Sequence, residues 1–265
     1  MGPRSSRTVI ERQCRKVSGS SMTFDMPLFS GSWGEARGVI EFKGVHYPKS
    51  VILYAVFFYV RYAVSYRDLE EILGERGVTV DHATLNRWVV KFAPLIAARA
   101  QARKRPTASS WRMDETYIKV KGRWCYLYRA VDRDGQTLDF MLAERRDLTA
   151  ARRFFKQAIE THGVPERVVI DKSGANLAGL EAVNVILKFT GIGRMIEVRQ
   201  VKYLNNIIEQ DHRFIKRITR PMMGFKAFHS AIATVAGIET AHMIRKGQIP
   251  ANGASAFQTF ARLAA

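Results

Sequence analysis

The sequence predicts an α/β protein in two parts, a helical helix-turn-helix domain followed by a mixed-sheet core, and three observations carry that prediction. Residues 51–92 hold one apolar and two amphipathic helical patterns, residues 111–145 hold three strand-like runs separated by glycine turns, and helical and strand patterns then alternate to about residue 218. A chain of 265 residues with 47% hydrophobic content is long enough to bury one sizeable core and a smaller second one.

Residues 1–40 are rich in Gly, Ser and Arg with no sustained apolar period, and are expected to form a disordered extension. Their start, MGPRSSRTVIERQCRK, lacks the apolar centre of a signal peptide. The run VILYAVFFYV lies between Lys49 and Arg61 and is far shorter than the roughly 20 residues of a membrane span, so it reads as a buried helix and no membrane is expected. Helices are expected over 51–62, 65–73 and 81–92 within a domain covering 41–98. Ser65 caps the second with Asp68 as its capping-box partner, Asp81 caps the third, and Gly74 and Gly77 supply the turn. On the third helix Leu85, Trp88, Val89 and Phe92 form an apolar stripe that leaves His82, Thr84, Asn86, Arg87 and Lys91 facing outward. Those side chains suit base edges and phosphates in a major groove, and they equally suit the solvated face of a small helical bundle. Residues 99–110 begin RAQARKR, with four basic and no acidic residues, and read as a basic linker.

From Trp111 the pattern changes to a core expected over 111–248. WRMDETYIKV, RWCYLYRAV and TLDFMLAER are three strands joined by tight hairpins at Lys121-Gly122 and Asp134-Gly135. An amphipathic helix follows over 148–161, then the short strand VVID, a helix over 180–189, a strand at VRQVKY and a basic helix over 206–218. This order is that of a mixed-sheet nuclease core. A helix over 225–245 follows, and the tail 249–265 specifies nothing clear.

Three acids in this core stand where a two-metal phosphodiester chemistry needs them. Asp114 sits inside a strand, where Asp is disfavoured and calls for a partner or a cation. Asp171 follows Val168, Val169 and Ile170 at a strand's carboxyl end, where ligands commonly bind. Glu209 lies on a helix face with Arg213, Lys216 and Arg220. Carboxylates suit Mg²⁺, and two ions roughly 3.5–4 Å apart clamp the attacking and leaving oxygens. Any one of these acids alone is more often a cap or half of a surface pair, and Glu209 with Arg213 also forms an i,i+4 pair. The joint placement carries the reading. Glu115 is expected to face away from Asp114, Asp139 to sit on a hairpin strand, and Asp211 to point roughly 200° around the helix from Glu209, while His212 is within reach of the site. The Asn205-Asn206 pair is expected to cap that helix and touch DNA. Forty-two Lys and Arg against 24 acids give a net charge of +18, which favours a polyanionic partner, as it would in a ribosomal protein. Cys14 and Cys125 offer neither a disulfide framework nor metal spacing, which fits a reducing cytoplasm.

The stretches WRMDETYIKVKGRW, YRAVDRDGQTLDF, VIDKSGAN, RQVKYLNNIIEQDHRFIKR and GFKAF with AGIE and IRKGQ resemble the transposases of bacterial insertion sequences, specifically the insertion sequence six family of the DDE superfamily, over about 41–248. The stretch NVILKFTGIGRMIE is the least family-like. The resemblance implies a ribonuclease H-like catalytic core in which Asp114, Asp171 and Glu209 are the catalytic, metal-holding triad. It further implies two Mg²⁺ ions, for which Mn²⁺ substitutes, and a helix-turn-helix that binds terminal inverted repeats. Cleavage of 3′ strands and transfer into target DNA would follow, by a homodimer or higher oligomer on DNA in the bacterial cytoplasm, associated with the nucleoid. Two rivals stay open: a catalytically inactive DNA-binding derivative of such an element, which the intact triad disfavours, and a ribonuclease or resolvase, which gives no role to the N-terminal domain.

Overall fold

A computed structural model describes residues 40–42, 46–191, 194–201 and 205–265 of the protein. The expected N-terminal extension, Cys14 within it, lies outside the described residues except for Ile40, which is buried in the core.

Among the described residues three helices come first: α1 (Lys49–Arg61), α2 (Tyr66–Gly74) and α3 (His82–Arg103). The caps form as the sequence predicts. The Ser65 hydroxyl accepts from the Asp68 backbone N–H while the Asp68 carboxylate accepts from that of Ser65, and Asp81 accepts from Thr84 N–H at 2.9 Å. α3 does not stop near residue 92. It continues through Pro94 to Arg103 and so takes up the first residues of the segment read as a linker. Ile96, Ala97 and Ala100 on this extension are buried, and the Arg99 guanidinium donates to the carbonyls of Leu263 and Ala265 at 2.9 and 2.7 Å. Tertiary burial and these long-range hydrogen bonds outweigh the helix-breaking tendency of proline.

The sheet contains β1 (Ser110–Val120), β2 (Arg123–Asp132), β3 (Thr137–Ala143), β4 (Arg167–Ile170) and β5 (Glu197–Gln200), in the order β3-β2-β1-β4-β5. β1, β2 and β3 are antiparallel neighbours, whereas β4 runs parallel to β1 and β5 parallel to β4. Both hairpins turn where expected: Lys121 and Gly122 take φ of 49° and 76°, and Gly135 takes 78°, values that twist paired strands correctly. The remaining helices are α4 (Leu148–His162), α5 (Gly174–Thr190), α6 (Asn206–Thr219), α7 (Phe228–Arg245) and α8 (Ala256–Arg262). This is the ribonuclease H-like arrangement of a mixed sheet with helices on both faces. Two boundaries differ from expectation. α5 starts at Gly174, directly after Asp171, rather than near residue 180, and the tail contains α8, capped by Ser255 and Gln258, with Phe260 packed 5.3 Å from Phe57.

Each face of the sheet has its own core. On one, Trp111, Met113, Tyr128 and Ala130 pack against Phe154, Phe155 and Leu180 of α4 and α5. On the other, Ile118, Val120, Leu127 and Phe140 share a larger core with α1, α3, α6 and α7. α7 is buried nearly all round, and Gly237 is where α1 and α3 approach it most closely: a Cβ there would lie 2.6 Å from Val60 Cγ1 and 3.0 Å from Ala93 Cβ. Val60 is stiff and cannot swing away. Gly237→Ala is therefore expected to destabilise the protein by about 1–3 kcal/mol, read as a lower urea midpoint at unchanged slope.

Candidate active site

The site forms where a short strand stops beside a long one. β4 pairs with β1 from Ser110 opposite Arg167 as far as Arg112 opposite Val169 and ends at Ile170, whereas β1 runs on to Val120. The next residue after β4, Asp171, therefore emerges level with Asp114. Its carboxylate accepts from the Ser173 N–H at 3.1 Å, which closes the turn into α5 and holds the side chain at the mouth of the sheet.

Asp114 lies on the face covered by α6 and α7, opposite Arg129 of β2, and Glu115 lies on the face covered by α4 and α5. Glu115 nevertheless does not point away as expected. Ligating oxygens of Asp114, Glu115 and Asp171 all lie within 4.8 Å of one another. The reason is the open edge: with β4 ended, a side chain from either face of β1 can turn around that edge toward Asp171. The sequence showed the alternation but not where the neighbouring strand stops.

Arg146, after β3, is a side chain at this cluster that the sequence reading missed. Its Nε and Nη2 donate to the two Glu115 oxygens at 3.2 and 3.3 Å, and Nη2 stands 3.6 Å from Asp171. Burial raises the Glu115 carboxyl and Arg146 opposes that shift. The basic pair Arg145-Arg146 at a strand end was visible in the sequence, but only the fold brings it to the acids.

Asp114 feels the charge of the other acids at this site. Its carboxyl is pushed up to about 7, first by burial and then by the charges of Glu115, Asp171 and Glu209, against a hydrogen bond from the Glu115 backbone. Glu209 thus faces the same site from the first turn of α6, exposed and outside the 4.8 Å cluster, but close enough for its charge to act on Asp114. His212, one turn further, places Nδ1 3.6 Å from Asp114 Oδ2. Burial and the Arg129 charge push its pKa down to about 3, so it stands beside Asp114 as a neutral ring. A set of hard oxygen donors with so much mutual repulsion fits a divalent cation such as Mg²⁺ or Mn²⁺.

Other acids serve the scaffold. Arg129 is completely buried and donates from Nε and Nη2 to Glu239 of α7 at 2.6 and 2.9 Å, and from Nη2 to Asp211 of α6 at 2.8 Å. Asp211 also receives His242 at 2.6 Å and Lys246 at 2.8 Å. Burial alone would raise the Asp211 carboxyl, but the His242 hydrogen bond and the charges of Arg129, His242 and Lys246 hold it well below the usual carboxylate range. The network ties α6, and Glu209 with it, to the sheet. Asp139 is buried against Gln157 at 3.0 Å and pushed up to about 6 by burial.

The expected DNA-contact residues divide. On α3, Arg87 and Lys91 are exposed and Asn86 is half-buried, whereas His82 meets Glu70 at 3.0 Å and Thr84 donates to Asp81 at 2.6 Å, so both serve the helix start. On α6, Arg213, Lys216 and the adjoining Arg220 are exposed along one side. Asn205 stands at the start of α6, 2% exposed, and its side chain makes no cap hydrogen bond.

The profile of a DDE domain matches residues 108–248. Over 206 residues, 77% of this chain and 88% of the relative, the sequence is 41% identical to a transposase for insertion sequence-like element IS431mec of Staphylococcus aureus strain N315. The transposase for insertion sequence element IS257 in transposon Tn4003, also of Staphylococcus aureus, matches with the same identity and coverage. Among solved structures, the trimeric form of the HTLV-2 integrase catalytic core domain in complex with magnesium is 17% identical, covers 59% of this chain and 99% of its own, and superposes with a TM-score of 0.40.

Proposed function

This chain belongs to the insertion sequence six family of DDE transposases, and from that premise we propose that it binds the terminal inverted repeats of its element, cleaves their 3′ strands and transfers them into target DNA. The observation that carries the proposal is the meeting of Asp114 and Asp171 where β4 ends, with the charge of Glu209 reaching Asp114 from α6.

Asp114, Asp171 and Glu209 would hold two Mg²⁺ ions, or Mn²⁺ in their place, and the ions would supply Lewis-acid activation of the attacking oxygen and charge stabilisation of the leaving one. The protein's own groups do the rest. Arg146 keeps Glu115 and Asp171 at a fixed separation, and His212 gives Asp114 a neighbour that adds no charge. Arg213, Lys216 and Arg220 hold phosphates along the exposed side of α6, and α2 with α3 forms the helix-turn-helix that reads the repeats through Asn86, Arg87 and Lys91. A homodimer or higher oligomer brings two ends together, in the cytoplasm against the nucleoid. No described helix is long and apolar enough to cross a membrane.

The test is a strand-transfer reaction with purified protein, labelled duplex carrying the element's end, and Mg²⁺. A nick at the 3′ end and a joined product are expected, and a protein that binds the end but yields neither would leave only the inactive derivative. The division of labour is tested by affinity at several salt concentrations. Arg87→Ala is expected to weaken end binding roughly ten- to hundredfold while barely changing scrambled duplex. Arg213→Ala should weaken both alike and lower the salt slope by about one charge. Equal losses on the two DNAs for Arg87→Ala would make that residue a phosphate anchor.

A further inference from the structure

The helical layer over one face of the sheet ends too early to cover the β1–β2 hairpin. α4 and α5 pack over Trp111, Met113, Tyr128 and Ala130, and that cover runs out at Glu115. Further along the same face, the register sets Tyr117 of β1 opposite Tyr126 of β2 and Lys119 opposite Trp124. Tyr117 is 48% and Trp124 62% exposed, with the two tyrosine rings in edge contact at 5.4 Å. The hairpin's other face is fully packed, by Ile118, Val120, Cys125 and Leu127. Its tip is tied down as well, since Lys121 N–H donates to the Phe225 carbonyl and Phe225 N–H to that of Lys119. The exposed rings are therefore carried on a rigid support.

The charged residues of the hairpin between Tyr117 and Tyr126 are all basic. Lys119 on the same face as the rings and Lys121 at the turn are exposed, and neither pairs with a carboxylate among the described residues, while Arg123 stands on the opposite face, across from Val120. Lys119 lies four residues along the strand from Glu115 of the acidic cluster, roughly 13 Å at the usual rise. Cross-strand aromatic pairs often serve only to stabilise a hairpin. That role asks for rings packed on their neighbours, and it accounts for neither a tryptophan left mostly in solvent nor the two lysines beside it.

We propose that this face is a binding ridge for an unpaired DNA strand leading out of the carboxylate cluster, with bases stacked on Trp124 and Tyr117 and phosphates held by Lys119 and by Lys121 at the turn. Flat aromatic faces on an open sheet can stack only on bases that have left the duplex, whereas paired DNA would meet the cations alone. The inference rests on the reading that the cluster acts on DNA.

Fluorescence anisotropy with labelled oligodeoxythymidylate and with a blunt duplex tests it. Trp124→Ala is expected to lose roughly tenfold in affinity for the single strand, with the blunt duplex nearly unchanged, and Trp124→Phe to retain most of the binding. Of the other three tryptophans Trp88 and Trp111 are buried and Trp33 lies outside the described residues, so the quench expected from the single strand is assigned to Trp124 by its loss in Trp124→Phe. Unchanged single-strand affinity in Trp124→Ala, or an equal loss on blunt duplex, overturns the ridge. A Trp124→Ala protein that sediments as a smaller species than wild type, with single-strand affinity intact, assigns the face to a second copy of the chain instead. Wild-type protein that binds the blunt duplex but not the single strand sinks this inference alone, while failure to bind either DNA sinks the proposed function with it.

Discussion

Asp114→Asn and Asp171→Asn are each expected to abolish strand cleavage and transfer while leaving binding to end DNA intact. Each removes charge from the acidic cluster, and neither touches α3. Cation stabilisation of a phosphoryl transition state is worth several kcal/mol, and about 4 kcal/mol corresponds to roughly a thousandfold in rate. Glu209→Gln is expected to match them. Glu115→Gln should cost much less, because Arg146 already compensates that carboxylate. Gel assays of cleavage with Mg²⁺, and calorimetric titration with Mn²⁺, decide the matter. If Glu115→Gln is silent in binding but Glu209→Gln loses Mn²⁺, the triad stands as proposed, and the reverse would make Glu115 the third ligand. A pH signature accompanies the result. Asp114 in the folded protein titrates near 7 against an ordinary 3.8, so between those values the native state binds more protons than the unfolded one. In chelator-treated protein its contribution to stability is therefore expected to fall as pH rises through that window, and Asp114→Asn should flatten that slope in thermal melts.

Arg129→Ala is expected to destabilise the protein by about 3–5 kcal/mol, because it leaves the Glu239 carboxylate buried with its ion-pair partner gone and takes one of three side-chain partners from Asp211. Against a total stability of about 5–15 kcal/mol that is a large share. The double variant Arg129→Met, Glu239→Met removes both charges and replaces them with apolar volume, so it should regain most of the lost urea midpoint. Cleavage should not recover with it. The network ties α6 to the sheet through Asp211, two residues from Glu209, and without Arg129 the helix loses a fixed point beside the site. Recovery of both stability and cleavage would show that the buried charges serve the fold alone and do not position Glu209.

Much of this protein is legible over short windows of its sequence. The hairpin turns at Lys121-Gly122 and Asp134-Gly135, the caps at Ser65 and Asp81, and the placing of Asp114 in a strand and of Asp171 at a strand's end all depend on interactions within a few residues, which periodicity and turn chemistry encode directly. The tertiary structure decided what depends on distant partners. α3 passes Pro94 because Arg99 finds carbonyls at residues 263 and 265. Glu115 joins Asp114 because β4 happens to stop at Ile170, and Arg146 reaches them only once β3 is in place. Asp211 sits two residues from Glu209 in sequence but belongs to the Arg129 network, and Asn205, read as a surface contact, is buried. A carboxylate's neighbours are set by strand register and helix packing between segments far apart in the chain, so an acid's type and local element are written in the sequence, while the charges it meets, and hence its chemistry, are settled only when the sheet and its helices close around it.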